Sequence, residues 1–423
     1  MTDSLDRRPG AAPPPDRGAS AVAADAGTRV HLVRLVLREI RLTLREPFRI
    51  SSGLVTERRI LLVELTDADG VTVWAECVAG EQPNYSAETI DTAWHAIEAW
   101  VAPRVLGRAF DGPWALRPAL ERDFRGHPMA KAAVEMGAWA LAAERAAVPL
   151  ARLLGGTQRA IPTGISLGIQ AHPDLLVDRA RAAQAAGYRK IKLKIQPGAD
   201  VAYVAAVRAA VGPGVALMAD ANSAYTIDDA EHLARLDEFG LTMIEQPLGR
   251  DDLVQHAALQ RRLRTPLCLD ESITDADRAR DMLALGSGRI VNIKPGRVGG
   301  FASSVAIHDV CQAAGVPVWA GGMLESGVGR AYNVALASLP GFTMPGDLSP
   351  SARYWARDVV TPEWTMSADG LVTVPLERPG LGVAVDVDRI DDLTVRTQQL
   401  DAPQSAPQSA PQSAPAGAPV PSP

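Results

Sequence analysis

Five ionisable residues, Lys194, Asp220, Glu245, Asp270 and Lys294, succeed one another at intervals of 26, 25, 25 and 24 positions, each at the end of a short run of strand-forming residues. That interval is the length of one βα unit. Five consecutive units with an ionisable residue at the same phase restrict the fold severely, because a closed parallel barrel brings the ends of all its strands to one rim. A doubly wound sheet is the competing architecture, but it does not gather side chains from five consecutive strands around one point.

The surrounding sequence supports the barrel. Strand candidates fall at 161–169, 189–195, 215–220, 242–246, 266–270, 290–294, 316–320 and 342–346, with amphipathic stretches such as 173–186 and 227–239 between them. Gly187, Gly240 and Gly315 stand where helices need a C-terminal cap. The expected fold is therefore α/β, a (β/α)8-type barrel over 156–364 with its last helix modified.

Ahead of it, 30–65 alternates apolar and polar, and Asp69-Gly70 turns the chain back into Val71-Thr72-Val73-Trp74, a hairpin signal. Helix-compatible runs come next over 86–152, 129–147 among them. Residues 29–155 thus read as an α+β capping domain. Short strand-like runs around Asp369-Gly370 are too few to fold alone, so 365–395 is expected to return to that domain. Residues 1–28 and 396–423 read as an unstructured extension and a low-complexity tail, rich in Pro, Ala, Ser and Gln, the latter built on Ala-Pro-Gln-Ser repeats.

With 43 basic and 49 acidic residues, and no charge runs, neither a nucleic-acid surface nor a membrane patch is expected. Small molecules are the expected partners. Three scattered cysteines, Cys77, Cys268 and Cys311, argue against a disulfide framework. No signal-peptide core precedes the first domain, so a cytoplasmic protein is expected. The seven histidines keep no step with the period of the strands.

Asp220, Glu245 and Asp270 are hard oxygen donors that repel one another unless a cation lies between them. Each alone also reads as a capping or ion-pair residue; three in phase read as a metal site. Without His or Cys the site suits Mg²⁺, with other divalent cations such as Mn²⁺ as alternatives. Asn222, two positions past Asp220, reads equally as a helper of the metal or substrate and as a turn residue. In Lys190-Ile191-Lys192-Leu193-Lys194 the lysines share one face, so they are either solvated together or forced together into the barrel mouth. In the mouth, Lys192 and partial burial would draw Lys194 down from its usual ~10.4 toward the range of a general base. Lys294, on the sixth strand, faces Lys194 across a closed barrel. Two amines on opposite faces of a metal-bound substrate suit removal of a proton from the carbon next to a carboxylate. The expected substrate is a small-molecule carboxylate.

At Lys192-Leu193-Lys194, Asp220-Ala221-Asn222, Glu245-Gln246-Pro247, Asp270-Glu271-Ser272 and Lys294-Pro295-Gly296-Arg297 the chain resembles the enolase superfamily, in its muconate-lactonising subgroup. The mandelate racemase type places a histidine after the seventh strand, where this chain reads Trp319-Ala320-Gly321-Gly322-Met323. Pro47-Phe48-Arg49, Gly296-Arg297-Val298-Gly299-Gly300, Gly321-Gly322-Met323-Leu324-Glu325-Ser326-Gly327 and Pro345-Gly346-Asp347 are most similar to the N-succinylamino acid racemase/o-succinylbenzoate synthase family. The resemblance covers about 32–390.

It implies Lys194 and Lys294 as catalytic residues with Lys192 in support, and Asp220, Glu245 and Asp270 as Mg²⁺ ligands. Asn222, Arg297, Gly322, Met323, Phe48 and Ser166 are its substrate-binding candidates. Arg297 reads equally as a rim ion pair, and Gly321-Gly322 with Met323 equally as a tight turn. A closing loop at 48–54 and a homo-oligomer are also implied. The reaction passes through an enediolate, either racemising N-succinylamino acids or dehydrating 2-succinyl-6-hydroxy-2,4-cyclohexadiene-1-carboxylate, as in menaquinone synthesis. Muconate cycloisomerase and dipeptide epimerase activities are the alternatives on the same scaffold; a metabolite-binding barrel without turnover is the non-enzymatic one.

Overall fold

Apolar alternation in the first strands builds an antiparallel sheet. In the computed structural model, which describes residues 29–51 and 53–403, Val30–Ile50 pairs with Gly53–Asp67, and this with Thr72–Cys77. The turn closes as the Asp69-Gly70 signal implies: Asp67 Oδ1 accepts from the amides of Asp69 and Val71 at 3.0 and 2.8 Å, and Gly70 takes a φ of 84°. The expectations for 1–28, for 404–423 and for Ser52 lie outside the described residues.

The helix Pro128–Arg145 backs this sheet and is buried on nearly its whole circumference. An alanine-rich helix without a polar face fits that position between two layers. Gly137 admits Leu65 of the sheet, whose methyl carbon stands 2.5 Å from where a Cβ would be, while Trp139 meets Phe301 of the barrel edge-on at 6.1 Å.

Two expectations for the C-terminal region need correction. Thr394–Asp401 is the edge strand of the cap sheet, paired antiparallel with Val30–Ile50, so an unstructured tail does not begin at 396. Its mostly polar residues read as a tail by composition, but an edge strand is held by backbone hydrogen bonds and needs little apolar surface. Nor does the whole of 365–395 return to the cap. Leu371–Thr373 pairs with Ala160–Pro162 beneath the barrel, while Gly380 bonds to Val148 and Leu150 and the helix Val387–Leu393 packs on the first cap strand.

The barrel strands run parallel in one sheet, in chain order: Gly164–Leu167, Lys190–Lys194, Leu217–Asp220, Ile244–Glu245, Leu267–Leu269, Ile290–Ile293 and Val318–Ala320. The eighth candidate, 342–346, is not a regular strand. It closes the circle by two isolated bridges, Val318 to Phe342 and Thr163 to Gly346. The amide of Gly164 donates to the Gly346 carbonyl at 2.7 Å, and the Asp347 amide to the Ala320 carbonyl at 2.9 Å. Pro345 offers no N–H and Gly346 no side chain, so a longer ladder is not sustained. A single 3₁₀ turn, Ser351–Arg353, stands in place of a full helix after it. The 173–186 candidate becomes the helix Pro173–Ala185, whereas 227–239 splits into Ile227–Asp229, Ala230–Ala234 and Arg235–Phe239, of which only the middle piece is α-helical. No helix among the described residues is long and apolar enough to cross a membrane, and all three cysteines are buried and free.

Two cap carboxylates fasten the layers together. Glu135 accepts from the amides of Phe301 and Ala302 at 2.7 and 3.0 Å, and Glu76 from those of Ser326 and Gly329 at 3.1 Å and from the Ser326 hydroxyl at 2.6 Å. Each thereby satisfies the free N–H groups at the start of a barrel helix, Phe301–Ala313 or Gly327–Ala337. Burial outweighs these donors and pushes Glu135 up to about 7 and Glu76 to about 8.

A raised carboxyl pKa means that the folded state keeps a proton which the unfolded chain releases near pH ~4.3, so its stabilisation is complete below that pH and is lost as pH rises toward 7. Glu135→Gln removes this titration and sets an amide N–H against a backbone donor, at a cost on the order of 2 kcal/mol. In denaturant titrations it is expected to be less stable than the parent at pH 5, with the gap narrowing by pH 8; a constant or widening gap contradicts the assignment.

Candidate functional site

Strand alternation decides the fate of the three lysines of Lys190–Lys194. Ile191 and Leu193 pack outward against the helices, so Lys190, Lys192 and Lys194 point into the barrel and are only 1 %, 3 % and 8 % exposed. They are forced together rather than solvated. Lys190 Nζ lies 3.4 Å above the Trp319 ring and 3.6 Å from Asp347 Oδ1. Lys192, one layer up, reaches Asp347 at 2.6 Å and both Asp220 and Glu245 at 3.2 Å. Lys194, at the rim, donates to Asp220 Oδ2 and Asn222 Oδ1, each at 2.6 Å.

On the opposite wall, Lys294 donates to Asp270 Oδ2 at 2.7 Å and to the Tyr85 hydroxyl at 2.9 Å. Arg297 Nε stands 3.1 Å from Asp270 Oδ1. These contacts set the electrostatics. Burial opposes ionisation of Asp220 and Asp270, but Lys194 and Lys192 hold the first well below the usual carboxylate range, and Lys294 and Arg297 lower the second. Glu245 is pushed up to about 8 by burial and the Asp220 charge, and Glu271 to about 7 by burial and Asp270. Burial also opposes charge on Lys192 and Lys294, yet the surrounding carboxylates carry both well above the ordinary lysine value.

Asp220, Glu245 and Asp270 end adjacent strands, with Asp220 and Glu245 level in the ladder. Among the described residues, however, no group of three or more His, Cys, Asp or Glu side chains is gathered as a metal cage. The amines account for this, since each carboxylate is drawn toward a lysine. The donor set itself fits a hard divalent cation. It is all oxygen, it is buried, Glu245 and Glu271 are pushed toward protonation, and Glu271 Oε2 has no hydrogen-bond partner.

Above this layer lies a cavity of about 370 Å³ between cap and barrel. Lys194, Lys294, Asn222, Phe48, Gly322 and Met323 all line it. Two candidates do not. Arg297 is tied beneath the rim to Asp270 and to the carbonyls of Ile273 and Asn292, the latter at 2.9 Å, which is the ion-pair reading. Ser166 sits level with Lys192, a layer below the rim, its hydroxyl buried without a partner. Asn222 takes the turn role considered for it, and its side chain is held within the site. It turns the chain with a φ of 43° and bridges Lys194 to Glu271 Oε1, the latter at 3.0 Å. At 48–54 the cap hairpin leans on the barrel, with the Ile169 amide donating to the Arg49 carbonyl at 2.9 Å.

Sequence reasoning misses Tyr85, Asn292 and Asp347 as members of this cluster. Asn292 donates to Glu245 Oε1 at 2.6 Å and lies two residues before Lys294, so the alternation that joins Lys192 to Lys194 also points to it. Asp347 belongs to a family-like motif, but its irregular strand gives it no phase. Tyr85 comes from a cap loop without periodicity and carries no local signal.

The enolase C-terminal domain-like family matches residues 175–389, and the mandelate racemase/muconate lactonizing enzyme N-terminal domain matches 33–155. The chain is 48 % identical over 365 residues to an o-succinylbenzoate synthase of Geobacillus kaustophilus, covering 86 % of this chain and 96 % of that protein. To an N-succinylamino acid racemase of Thermus thermophilus it is 46 % identical over 366 residues, 86 % and 98 % of the two chains. A crystal structure of an enolase-superfamily protein from Listeria innocua superposes with a TM-score of 0.84 at 37 % identity, over 88 % of this chain and 99 % of that one. With both domains matched, the barrel closed and the motifs on its rim, the chain belongs to the enolase superfamily, in the family of o-succinylbenzoate synthases and N-succinylamino acid racemases.

Proposed function

We propose that this enzyme removes the proton next to a carboxylate through an enediolate, racemising N-succinylamino acids and forming o-succinylbenzoate by dehydration. The observation that carries the reading is the placing of Lys194 and Lys294 on opposite walls of one cavity, above three carboxylates. Asp220, Glu245 and Asp270 would hold Mg²⁺, the ion that superfamily members generally use. When bound, the ion supplies Lewis-acid stabilisation of the charge that builds up on the substrate carboxylate.

The chain's own residues move the proton. Lys194 and Lys294 now neutralise Asp220 and Asp270; once released from them, each amine faces the cavity. In racemisation one amine takes the α-proton from one face while the other returns a proton to the opposite face, and the roles reverse for the other enantiomer. In the dehydration Lys194 takes the ring proton and gives it to the departing hydroxyl, so that water leaves, while Lys294 keeps positive charge beside the ring. Lys192, fixed by Asp347 and Glu245, stays protonated and supports the carboxylate layer. Tyr85, on Lys294 and Asp270, helps to exclude water from that wall. The reading assigns the enzyme to the cytoplasm and to a homo-oligomer acting on small carboxylates.

Lys194→Ala and Lys294→Ala are each expected to slow racemisation of an N-succinylamino acid by roughly 10²- to 10⁴-fold, with an unchanged circular dichroism spectrum. Wild-type turnover by either variant defeats the two-base assignment. Chelation is expected to abolish racemisation and solvent-deuterium uptake at the α-carbon, and Mg²⁺ to restore both. In calorimetry Glu245→Gln is expected to weaken Mg²⁺ binding at least about tenfold, as loss of a charged ligand requires; full activity in excess chelator refutes the metal's part in the reaction.

A further inference from the structure

The cap hairpin that closes over the barrel carries two adjacent arginines, Arg58 and Arg59, which alternation sends to opposite faces of the strand Gly53–Asp67. Arg59 is fully engaged: its Nε lies 2.7 Å from Glu39 Oε1, and its terminal nitrogens reach Asp91 at 3.0 Å. Arg58 turns inward, is 7 % exposed, and lines the same cavity as Lys194 and Lys294.

Its partners are too few. A guanidinium carries five donors. Arg58 makes two long hydrogen bonds, both from Nη2 at 3.4 Å to the carbonyls of Val78 and Ala79, and its Nε is buried without a partner. Glu76, Glu325 and Glu81 act on it through space without a direct ion pair. Burial, the largest influence, draws its pKa below the usual arginine value. A buried cation with spare donors beside a cavity is costly unless a bound anion completes it.

We propose that Arg58 recognises a second carboxylate, at the end of the substrate remote from the reacting carbon. The amines and metal carboxylates address one acid group in the barrel mouth, and Arg58 addresses another from the cap, by the paired hydrogen bonds that its planar fork offers to a carboxylate. Phe48, Leu54 and Met323 line the same cavity and suit a short methylene arm joining the two. Arg59 also stands in the lining but is taken up by Glu39 and Asp91, so Arg58 is the guanidinium there with donors to spare. The succinyl arm of the proposed substrates ends in such a carboxylate. This rests on the proposed reaction and gives it a residue for substrate choice.

The test compares N-succinyl-L-phenylalanine with N-butyryl-L-phenylalanine, whose arm ends in a methyl group, on the Mg²⁺-loaded enzyme. Binding is read by calorimetry, turnover by polarimetry, and α-proton exchange in D₂O by NMR. The parent enzyme is expected to prefer the succinyl compound by on the order of 10- to 100-fold in Kd and in kcat/KM. Arg58→Met is expected to collapse that ratio toward one, and Arg58→Lys, which keeps the charge but not the fork, to leave an intermediate ratio. If Arg58→Met does not fold, the lysine variant decides alone: a reduced ratio supports the assignment and a parental ratio overturns it. Equal affinity of the parent for both compounds also overturns it. Succinyl-selective binding without α-proton exchange keeps Arg58 and defeats the proposed reaction, whereas equal exchange of both compounds does the reverse.

Discussion

Five buried basic side chains, Lys190, Lys192, Lys194, Lys294 and Arg297, and five buried acids, Asp220, Glu245, Asp270, Glu271 and Asp347, are packed against one another inside the barrel, where burial and neighbouring charge push Glu245 and Glu271 toward protonation. In a low-dielectric interior none of these charges is tolerable alone, and removing one leaves its partner uncompensated. The balance explains why the carboxylates are not gathered as an open cage. Without an ion, amine and acid are each other's best partner. A divalent ion held in this layer would compete directly with Lys194 and Lys294 for Asp220 and Asp270. The amines that such an ion would displace are the groups that the proposed chemistry requires.

The two layers of the molecule are joined by buried carboxyl groups that accept from backbone amides. Glu76 and Glu135 belong to the cap, but the N–H groups they satisfy belong to barrel helices. A helix start buried beneath another domain leaves its donors without water, so the covering domain has to supply the acceptors. Glu76 reaches the helix that begins just after the 321–326 segment. In that segment the Met323 amide donates to Glu325 Oε1 at 2.8 Å, and the Asn333 side chain reaches the same oxygen at 2.7 Å. The cavity wall formed by Gly322 and Met323 is thereby fixed from both sides, by the cap above and by the barrel helix behind.

Much of this is legible in the sequence, because a barrel converts a linear period into a ring. The positions of Lys194, Asp220, Glu245, Asp270 and Lys294 need only strand phase, and the KxKxK run needs only alternation. The features that escape have no period. The eighth stave of the barrel is held by single bridges around Pro345 and Gly346, and it conceals Asp347. The edge strand Thr394–Asp401 is sustained by backbone pairing with almost no apolar signal, so composition places it in the tail. Tyr85 and Arg58 arrive from the cap, and which barrel groups they meet depends on domain packing, which no local pattern records. Arg297 shows the converse: a motif places it near the site, and the turn after Lys294 ties it beneath the rim.

The division between barrel and cap is also a division of labour. Every group that carries the proposed proton transfer stands on a barrel strand end, where neighbouring strands hold it to a fixed position and charge balance forbids much variation. The groups that line the outer part of the cavity, Phe48, Leu54, Arg58 and the 322–324 segment, stand on a hairpin and a loop, where substitution disturbs neither the barrel ladder nor the carboxylate layer. A scaffold so divided keeps one reaction step, the loss of a proton beside a carboxylate, while the outer wall decides which acid presents that proton. Racemisation and dehydration then differ only in the fate of the shared enediolate: return of a proton to the opposite face, or departure of a hydroxyl. Both outcomes are open to a pair of amines on opposing walls, and the rigid inner layer has no means of preferring one. Selectivity between them falls to the outer wall, cap hairpin and 322–324 loop together, through the orientation it imposes on the far end of the bound acid.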